Sequence, residues 1–386
     1  MQRLWRTFKK NKKLNAQIAI STPNGKLIIV RNMDYCIKCG KLYGQNDELL
    51  GINKEHRITK DFLEVVTYTA QMISGFKKAE ELLLKLKGIE ISATQIKILS
   101  EEVGKKLFEI QMEKANTSYA SPEIVAPAVL EKDKKDTILY ILMDGSAVNT
   151  RVQDEGGSTW KEMKLGLTFL DKDVIKRKNE SSIITKKEYV TYLGSVSEFK
   201  KVLFDSAVRS SYGKVKKVVV IGDGAHWIWN MCKELFPDAE CILDYYHMTE
   251  NVYNYAKELF HHNEKKYKKW AEIVIYYIKT EQIEIALKKI LKKPLSLDKS
   301  RKVVNLEGYI KNNLDKIKYL QYKNKGFYIG SGMVESGNKI VVQKRMKQAG
   351  MRWGIGGAQY MAALRAKHES NKWTDVEKLI YEFKTA

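Results

Sequence analysis

Two runs in this chain fix the kind of fold it can adopt. Thr137–Met143 (Thr-Ile-Leu-Tyr-Ile-Leu-Met) is almost continuously apolar, and Val215–Ile221 (Val-Lys-Lys-Val-Val-Val-Ile) closes on four apolar residues. Runs of this length without clean alternation read as strands buried on both faces, and such a sheet must be covered by helices above and below. The segments between and around them supply that cover. Glu198–Ser210 and Trp227–Leu235 carry helical spacing, while Lys164–Leu170, Glu188–Leu193 and Cys241–Leu243 read as further strands. Strand, helix and strand in that order predict an α/β domain with a mixed sheet. Both buried runs pass directly into Asp-Gly, at Asp144-Gly145 and, after Gly222, at Asp223-Gly224. Ligands of open α/β sheets bind beyond strand ends. An aspartate there stands on a rigid element, and the glycine behind it permits a sharp turn. Either Asp-Gly alone reads equally well as a plain turn; two on two buried strands point to a shared site.

The chain has 386 residues, enough for two or three domains. Its formal net charge is +22, which adds self-repulsion to a compact state and so points to a polyanionic partner, nucleic acid above all. No run of ~18 apolar residues is available to span a bilayer, and the basic start, Met1–Asn11, lacks the apolar core of a secretory signal. Four cysteines in so long a chain do not make a disulfide scaffold. These features predict a cytoplasmic protein acting on double-stranded DNA, with no membrane partner.

Ahead of the α/β region, apolar runs on both sides of Pro23-Asn24-Gly25 predict a β-hairpin. Cys36 and Cys39 follow, in Cys-Ile-Lys-Cys-Gly. They resemble half of a zinc knuckle, but a structural zinc takes four ligands and no second pair lies nearby, so two thiols are favoured over a zinc site. Helical periodicity then predicts helices at about 59–73, 76–87 and 93–115, with Gly88 in the last turn and Ser92-Ala93-Thr94-Gln95 as a capping box. Two helices around a short glycine-containing turn fit a helix-turn-helix, whose second helix would offer Gln95, Lys97 and Ser100 to DNA. An ordinary helical hairpin is the competing reading. The expected division is 1–57 for the hairpin and cysteine segment, 58–118 for the helices, 119–136 for a linker, 137–248 with 326–386 for the α/β domain, and 249–325 for a Lys-rich helical block. A basic helix is expected from Ser331 to Gln348, ending at Gly350, and a last one at about Ala358–Ser370.

Glu335 lies in Gly330-Ser331-Gly332-Met333-Val334-Glu335-Ser336-Gly337-Asn338-Lys339. This is not a dinucleotide fingerprint, because Glu335 takes the place of the third glycine, nor a phosphate loop, because Asn338 separates Gly337 from Lys339. Glu335 paired with Lys339 one turn on is the plain alternative. If Glu335 meets Asp144 and Asp223, three carboxylates repel one another and a divalent cation resolves the conflict. Mg²⁺ or Mn²⁺ suits oxygen ligands, and two such ions serve phosphoryl transfer.

At this point the chain resembles a known family. Cys36-Ile37-Lys38-Cys39-Gly40, Met143-Asp144-Gly145, Trp160-Lys161-Glu162-Met163-Lys164, Ile221-Gly222-Asp223-Gly224-Ala225-His226-Trp227, Leu243-Asp244-Tyr245-Tyr246-His247, Gly330-Ser331-Gly332-Met333-Val334-Glu335-Ser336 and Gly350-Met351-Arg352-Trp353 are, in that order, similar to DDE insertion-sequence transposases of the Mutator-like lineage, nearest the Lre and Kra types. The resemblance implies an RNase-H-like catalytic domain interrupted by an all-α insertion before the last acidic residue. It implies Asp144, Asp223 and Glu335 as the catalytic, metal-binding triad, and Asp244 and His247 as supporting residues of the site. It also implies hydrolysis at element ends and strand transfer into target DNA, on an assembly expected to be a homodimer or larger. Lys339, Lys344, Arg345, Lys347, Arg352 and Trp353 are the expected DNA contacts after Glu335. Trp227 and Trp229 read either as stacking platforms for unpaired bases or as core residues. The alternatives are a resolvase-type nuclease that cuts without joining and an inactive DNA-binding derivative.

Overall fold

The structure, a computed structural model, describes residues 14–35, 42–44, 52–53, 56–121, 134–176, 182–292 and 305–382. Cys36 and Cys39 lie outside the described residues. The chain divides into two compact units: residues 1–110, 150–152 and 344–386 form one, and residues 111–149 with 153–343 form the other. This differs from the division read off the sequence, in which 326–386 was one piece of the α/β domain.

In the first unit, Leu14–Thr22 and Gly25–Tyr35 pair as an antiparallel hairpin with Thr22 opposite Gly25, which leaves Pro23 and Asn24 as the turn. Short strands at 42–44, 52–53 and 58–59 complete a five-stranded sheet. Helices follow at Lys60–Met72 and Phe76–Lys87. Gly88, at φ +64°, ends the second by donating its N–H back to the Leu84 carbonyl. The capping box forms as its residues dictate: the Gln95 N–H donates to Ser92 Oγ, and the Ser92 N–H donates to Gln95 Oε1, each at 3.2 Å. It opens a helix running from Ala93 to Ala120, of which 93–110 belongs to this unit. Ser100 is buried, and its hydroxyl donates to the Ile96 carbonyl, so it is not presented to a groove as the helix-turn-helix reading expected. Helices Ile355–Glu369 and Trp373–Glu382 pack against Lys60–Met72, where buried Arg365 donates to the backbone and side-chain oxygens of Gln71.

The second unit holds the α/β sheet, whose elements are numbered here. Its strands are β1 (Lys135–Asn149), β2 (Trp160–Leu170), β3 (Glu188–Leu193), β4 (Val215–Gly222) and β5 (Glu240–Leu243), in the order β3-β2-β1-β4-β5. β1, β2 and β3 are antiparallel neighbours; β1, β4 and β5 run parallel. Helices α1 (Val196–Arg209) and α2 (His226–Leu235) cover one face. Leu139, Ile141 and Met143 of β1 pack there with Phe199, Val202, Leu203, Ile228 and Met231. The alternate residues Tyr140 and Leu142 are equally buried; the Tyr140 ring stacks on Phe169 and tilts against Tyr328. Each such side chain contributes roughly 1.5–3 kcal/mol by leaving water, so the strands beneath the Asp-Gly pairs are held rigidly.

One expectation is corrected here. Asp144 does not end its strand: β1 continues to Asn149, paired throughout with β2. Only the parallel ladder to β4 stops short, its last pair being Ile221 and Leu142. A long antiparallel partner hides this ending in the sequence.

After β5 the chain enters α3 (Tyr245–Leu259), α4 (Glu264–Lys279), α5 (Ile283–Leu291), α6 (Leu306–Lys311) and α7 (Tyr319–Asn324). It then returns to the place it left. The Tyr245 N–H donates to the Ile329 carbonyl, and the hydroxyl of Tyr319 donates to the Leu243 carbonyl. The helix expected from Ser331 to Gln348 forms over Gly332–Met346 as one continuous run: α8 (Gly332–Gly337) passes into a π-helical turn at Asn338–Gln343 and closes on an α-helical turn at Lys344–Met346. Gly337 and the β-branched run Ile340-Val341-Val342 are poor helix formers at that point. Among the described residues, no helix is long and apolar enough to cross a membrane.

Candidate active site

Strand register builds the site. Ile221 pairs with Leu142 and Gly222 with Leu243. Two residues past the first pair, and one past the second, Asp144, Asp223 and Asp244 stand in one row across β1, β4 and β5.

Each aspartate is held differently. Asp144 is half-buried; its Oδ1 accepts the N–H of Gly145 at 2.7 Å and its Oδ2 accepts the side-chain amide of Asn338. Burial pushes its carboxyl above the ordinary carboxylate range, and the charge of Asp223 pushes the same way; the two hydrogen bonds and the charge of His247 pull it back. Asp223 folds its Oδ1 onto the N–H of Ala225 at 2.9 Å, and its carbonyl accepts the hydroxyl of Tyr309 at 3.0 Å. Gly224 next to it sits at φ +99°, and a Cβ there would lie 2.8 Å from the Tyr309 ring, so this turn requires glycine. Asp244 is fully buried and caps α3: its Oδ1 accepts the N–H groups of Tyr246 (2.6 Å) and His247 (3.4 Å), and its Oδ2 accepts that of Ser331 (3.0 Å). Burial raises its carboxyl to about 6, with Glu335 adding to the rise and His247 and the backbone donors opposing it.

The Ser331 bond ties the end of β5 to the start of the segment carrying Glu335. Glu335 accepts the Ser331 hydroxyl at 3.3 Å, and its Oε1 lies 3.8 Å from His247 Nε2. The ligand atoms of Asp244, His247 and Glu335 all lie within 4.8 Å of one another. The set in closest mutual reach is therefore Asp244, His247 and Glu335, with Asp144 and Asp223 beside it, and not the expected triad by itself. Asp244 and His247, expected only to support the site, stand as close to Glu335 as ligands of one ion would. Lys339 is exposed and makes no ion pair with Glu335.

The expected DNA contacts separate into two groups. Lys339, Lys344, Lys347 and Arg352 are exposed. Arg345 and Trp353 are not, which corrects the reading of both as phosphate or base contacts. The Arg345 guanidinium lies 4.5 Å from the centre of the Phe76 ring and 5.0 Å from that of Trp353, and its Nε donates to the Ala70 carbonyl at 2.9 Å. Trp353 is buried and donates its indole N–H to the Met346 carbonyl. Gln95 is exposed but engaged in the capping box, and Lys97 stands 4.0 Å from Glu101. Trp229 donates to Asn313, and Trp227 packs edge-on against Phe199, so both indoles are used in packing.

Sequence reasoning passed over Asn338, Ser331 and Tyr309. Asn338 alone carried a signal, lying three residues past Glu335 on the same helical face. Comparison with curated proteins finds no match to this chain. A family model matches residues 10–379, and on that match the chain belongs to the uncharacterised protein family UPF0236.

Proposed function

We propose that this protein is a DNA transposase of the DDE type. On this reading its sheet is an RNase-H-like catalytic domain, the helical block 249–325 is an insertion within it, and Asp144, Asp223 and Glu335 are the catalytic carboxylates. The observation that carries the reading is the row of aspartates across three parallel strands, with Glu335 returned beside it after a long helical excursion. The Mutator-like affinity and the DNA partner rest on the sequence resemblance and on the net charge of +22.

The residues present fit divalent cations. Asp144 and Asp244 are carboxyls raised by burial and by neighbouring carboxylates, a conflict that positive charge relieves. Asn338, buried against Asp144, keeps an amide oxygen with no hydrogen-bond partner. Asp144, Asp223 and Glu335 would hold Mg²⁺ or Mn²⁺, two ions in the full site, since carboxylate oxygens suit both. Such ions, when bound, polarise the scissile phosphate and sharpen the attacking oxygen. The protein's own part is to fix the carboxylates on strands and on α8, and to draw the polyanion in with exposed lysines. In the first step a water oxygen attacks phosphorus and the element's 3′ oxygen leaves as a hydroxyl. In the second, that hydroxyl attacks a target phosphorus and the target's 3′ oxygen leaves.

The test uses a supercoiled plasmid carrying the DNA that flanks this reading frame, incubated with the full chain and Mg²⁺ or Mn²⁺. Nicking at the element ends and joined products are expected, and both should vanish with Asp144→Ala, Asp223→Ala or Glu335→Ala while the circular dichroism spectrum is kept. Cleavage without joined products would make the chain a nuclease. Near-wild-type activity in any one of the three variants would remove that residue from the triad.

A further inference from the structure

Asn338 lies inside the candidate site, yet the carboxylate pattern does not explain it. Its side chain is 1% exposed. One end of the amide, Nδ2, donates to Asp144 Oδ2; the other, Oδ1, has no partner. Asp144 is thus gripped at both oxygens, by the main chain of its own strand through Gly145 and by Asn338 from the segment that carries Glu335. Leaving a buried acceptor open is costly, and an amide that tolerates this is held in place by its donor end. Asn338 also opens the π-helical turn Asn338–Gln343. Such turns are rare within α-helices and recur at functional sites.

We propose that Asn338 is a positioning residue for Asp144: its amide fixes the rotation of the carboxylate and couples β1 to α8 so that Asp144 and Glu335 keep one spacing. The proposal rests on the reading that these carboxylates hold divalent cations. A plain packing role would leave the carboxylate free to turn without consequence for cation binding.

Isothermal titration of Mn²⁺ into the full chain separates the two, with wild type, Asn338→Ala, Asn338→Leu and Asp144→Ala compared alongside their metal-free melting temperatures. Loss of an outer partner of a ligand typically weakens metal binding 10–100-fold. The expected result is that weakening in both Asn338 variants, little change in metal-free melting, and loss of binding in Asp144→Ala. If wild type and Asp144→Ala differ as expected but both Asn338 variants bind Mn²⁺ as wild type does, the positioning role falls and the metal site stands. If wild type takes up no Mn²⁺, the metal reading falls and the proposal with it. If both Asn338 variants are unfolded at 25 °C without metal, Asn338 is a folding residue and the proposal is overturned.

Discussion

Replacing Arg345 by methionine should leave DNA binding intact and change stability little. Its guanidinium is buried between Phe76 and Trp353, and both terminal nitrogens lack a hydrogen-bond partner. Burial, with the repulsion of Arg365, lowers the group well below the ordinary guanidinium range, to about 10. That drop corresponds to roughly 3 kcal/mol against the charged form at neutral pH. The charge-assisted bond from Nε to the Ala70 carbonyl returns about 1.5–3 kcal/mol, and each ring contact roughly 0.5–2 kcal/mol. Together these returns, about 2.5–7 kcal/mol, match or modestly exceed that cost. Methionine fills the same slot between two aromatic rings, with sulfur contacts of about 0.3–1.5 kcal/mol, at the expense of one unpaired carbonyl. Urea unfolding should therefore place Arg345→Met within about 2 kcal/mol of wild type, as replacement of buried charges by apolar groups usually does. Lys344→Ala and Lys347→Ala, on either side, should be neutral in stability yet each lower the salt slope of DNA binding by roughly one. If Arg345→Met lowers that slope as its lysine neighbours do, the guanidinium leaves its slot to reach a phosphate and the core reading is wrong.

Two further outcomes are expected. If the net charge of +22 serves DNA and six to ten phosphates are contacted, affinity for duplex DNA should fall by roughly 10³–10⁵ between 50 and 200 mM salt; a nearly flat titration would assign the charge to another purpose. Tyr309→Phe removes the hydroxyl that holds the Asp223 carbonyl at 3.0 Å and should lower unfolding free energy by about 1 kcal/mol, measured by urea denaturation; no change would show that the Asp223 turn stands without it.

What could be read from the sequence follows the range of each interaction. Apolar runs are local, so β2, β3, β4 and β5 emerge within a few residues of their expected places, β1 starts as expected but runs on to Asn149, and the hairpin at Pro23-Asn24 and the capping box at Ser92–Gln95 form from the residues that announce them. Asp144 and Asp223 were found because each follows such a run. Glu335 has no strand beneath it, and only the resemblance singled it out from other acidic residues. The closeness of Asp244 and His247 to Glu335 depends on hydrogen bonds across the ends of the helical block, such as Ser331 to Asp244, and no local pattern encodes those. Arg345 and Trp353 depart from expectation because a basic or aromatic residue past the Glu335 helix looks the same in sequence whether it faces solvent or fills a slot between rings.

The site also sets a local charge against the global one. The chain is strongly basic, yet Asp244 and Glu335 meet at the His247 imidazole, with Asp144 and Asp223 in the same row of strand positions. Alone, such a cluster repels both itself and an approaching phosphate, since carboxylates raise one another's proton affinity and a phosphodiester is already negative. Asp144 and Asp244 are pushed toward the protonated form, by burial first, with Asp223 and Glu335 adding to it. Exposed lysines more than about a Debye length away, ~10 Å at 0.1 M salt, are too well screened to relieve the conflict. A cation bound among the carboxylates can, and it would also turn the cluster from repelling a phosphate to attracting one. On the proposed reading the two charge systems therefore divide the work: the exposed basic surface concentrates DNA at long range, and the acidic pocket becomes competent only where a divalent ion joins carboxylate to phosphate. A chain with Asp144, Asp223 and Glu335 all replaced by alanine should then bind DNA in EDTA at least as tightly as wild type does, and should lose the tightening that Mn²⁺ brings. Equal tightening by Mn²⁺ in both proteins, measured by fluorescence anisotropy on a labelled duplex, would place the ion elsewhere and separate the carboxylates from the DNA.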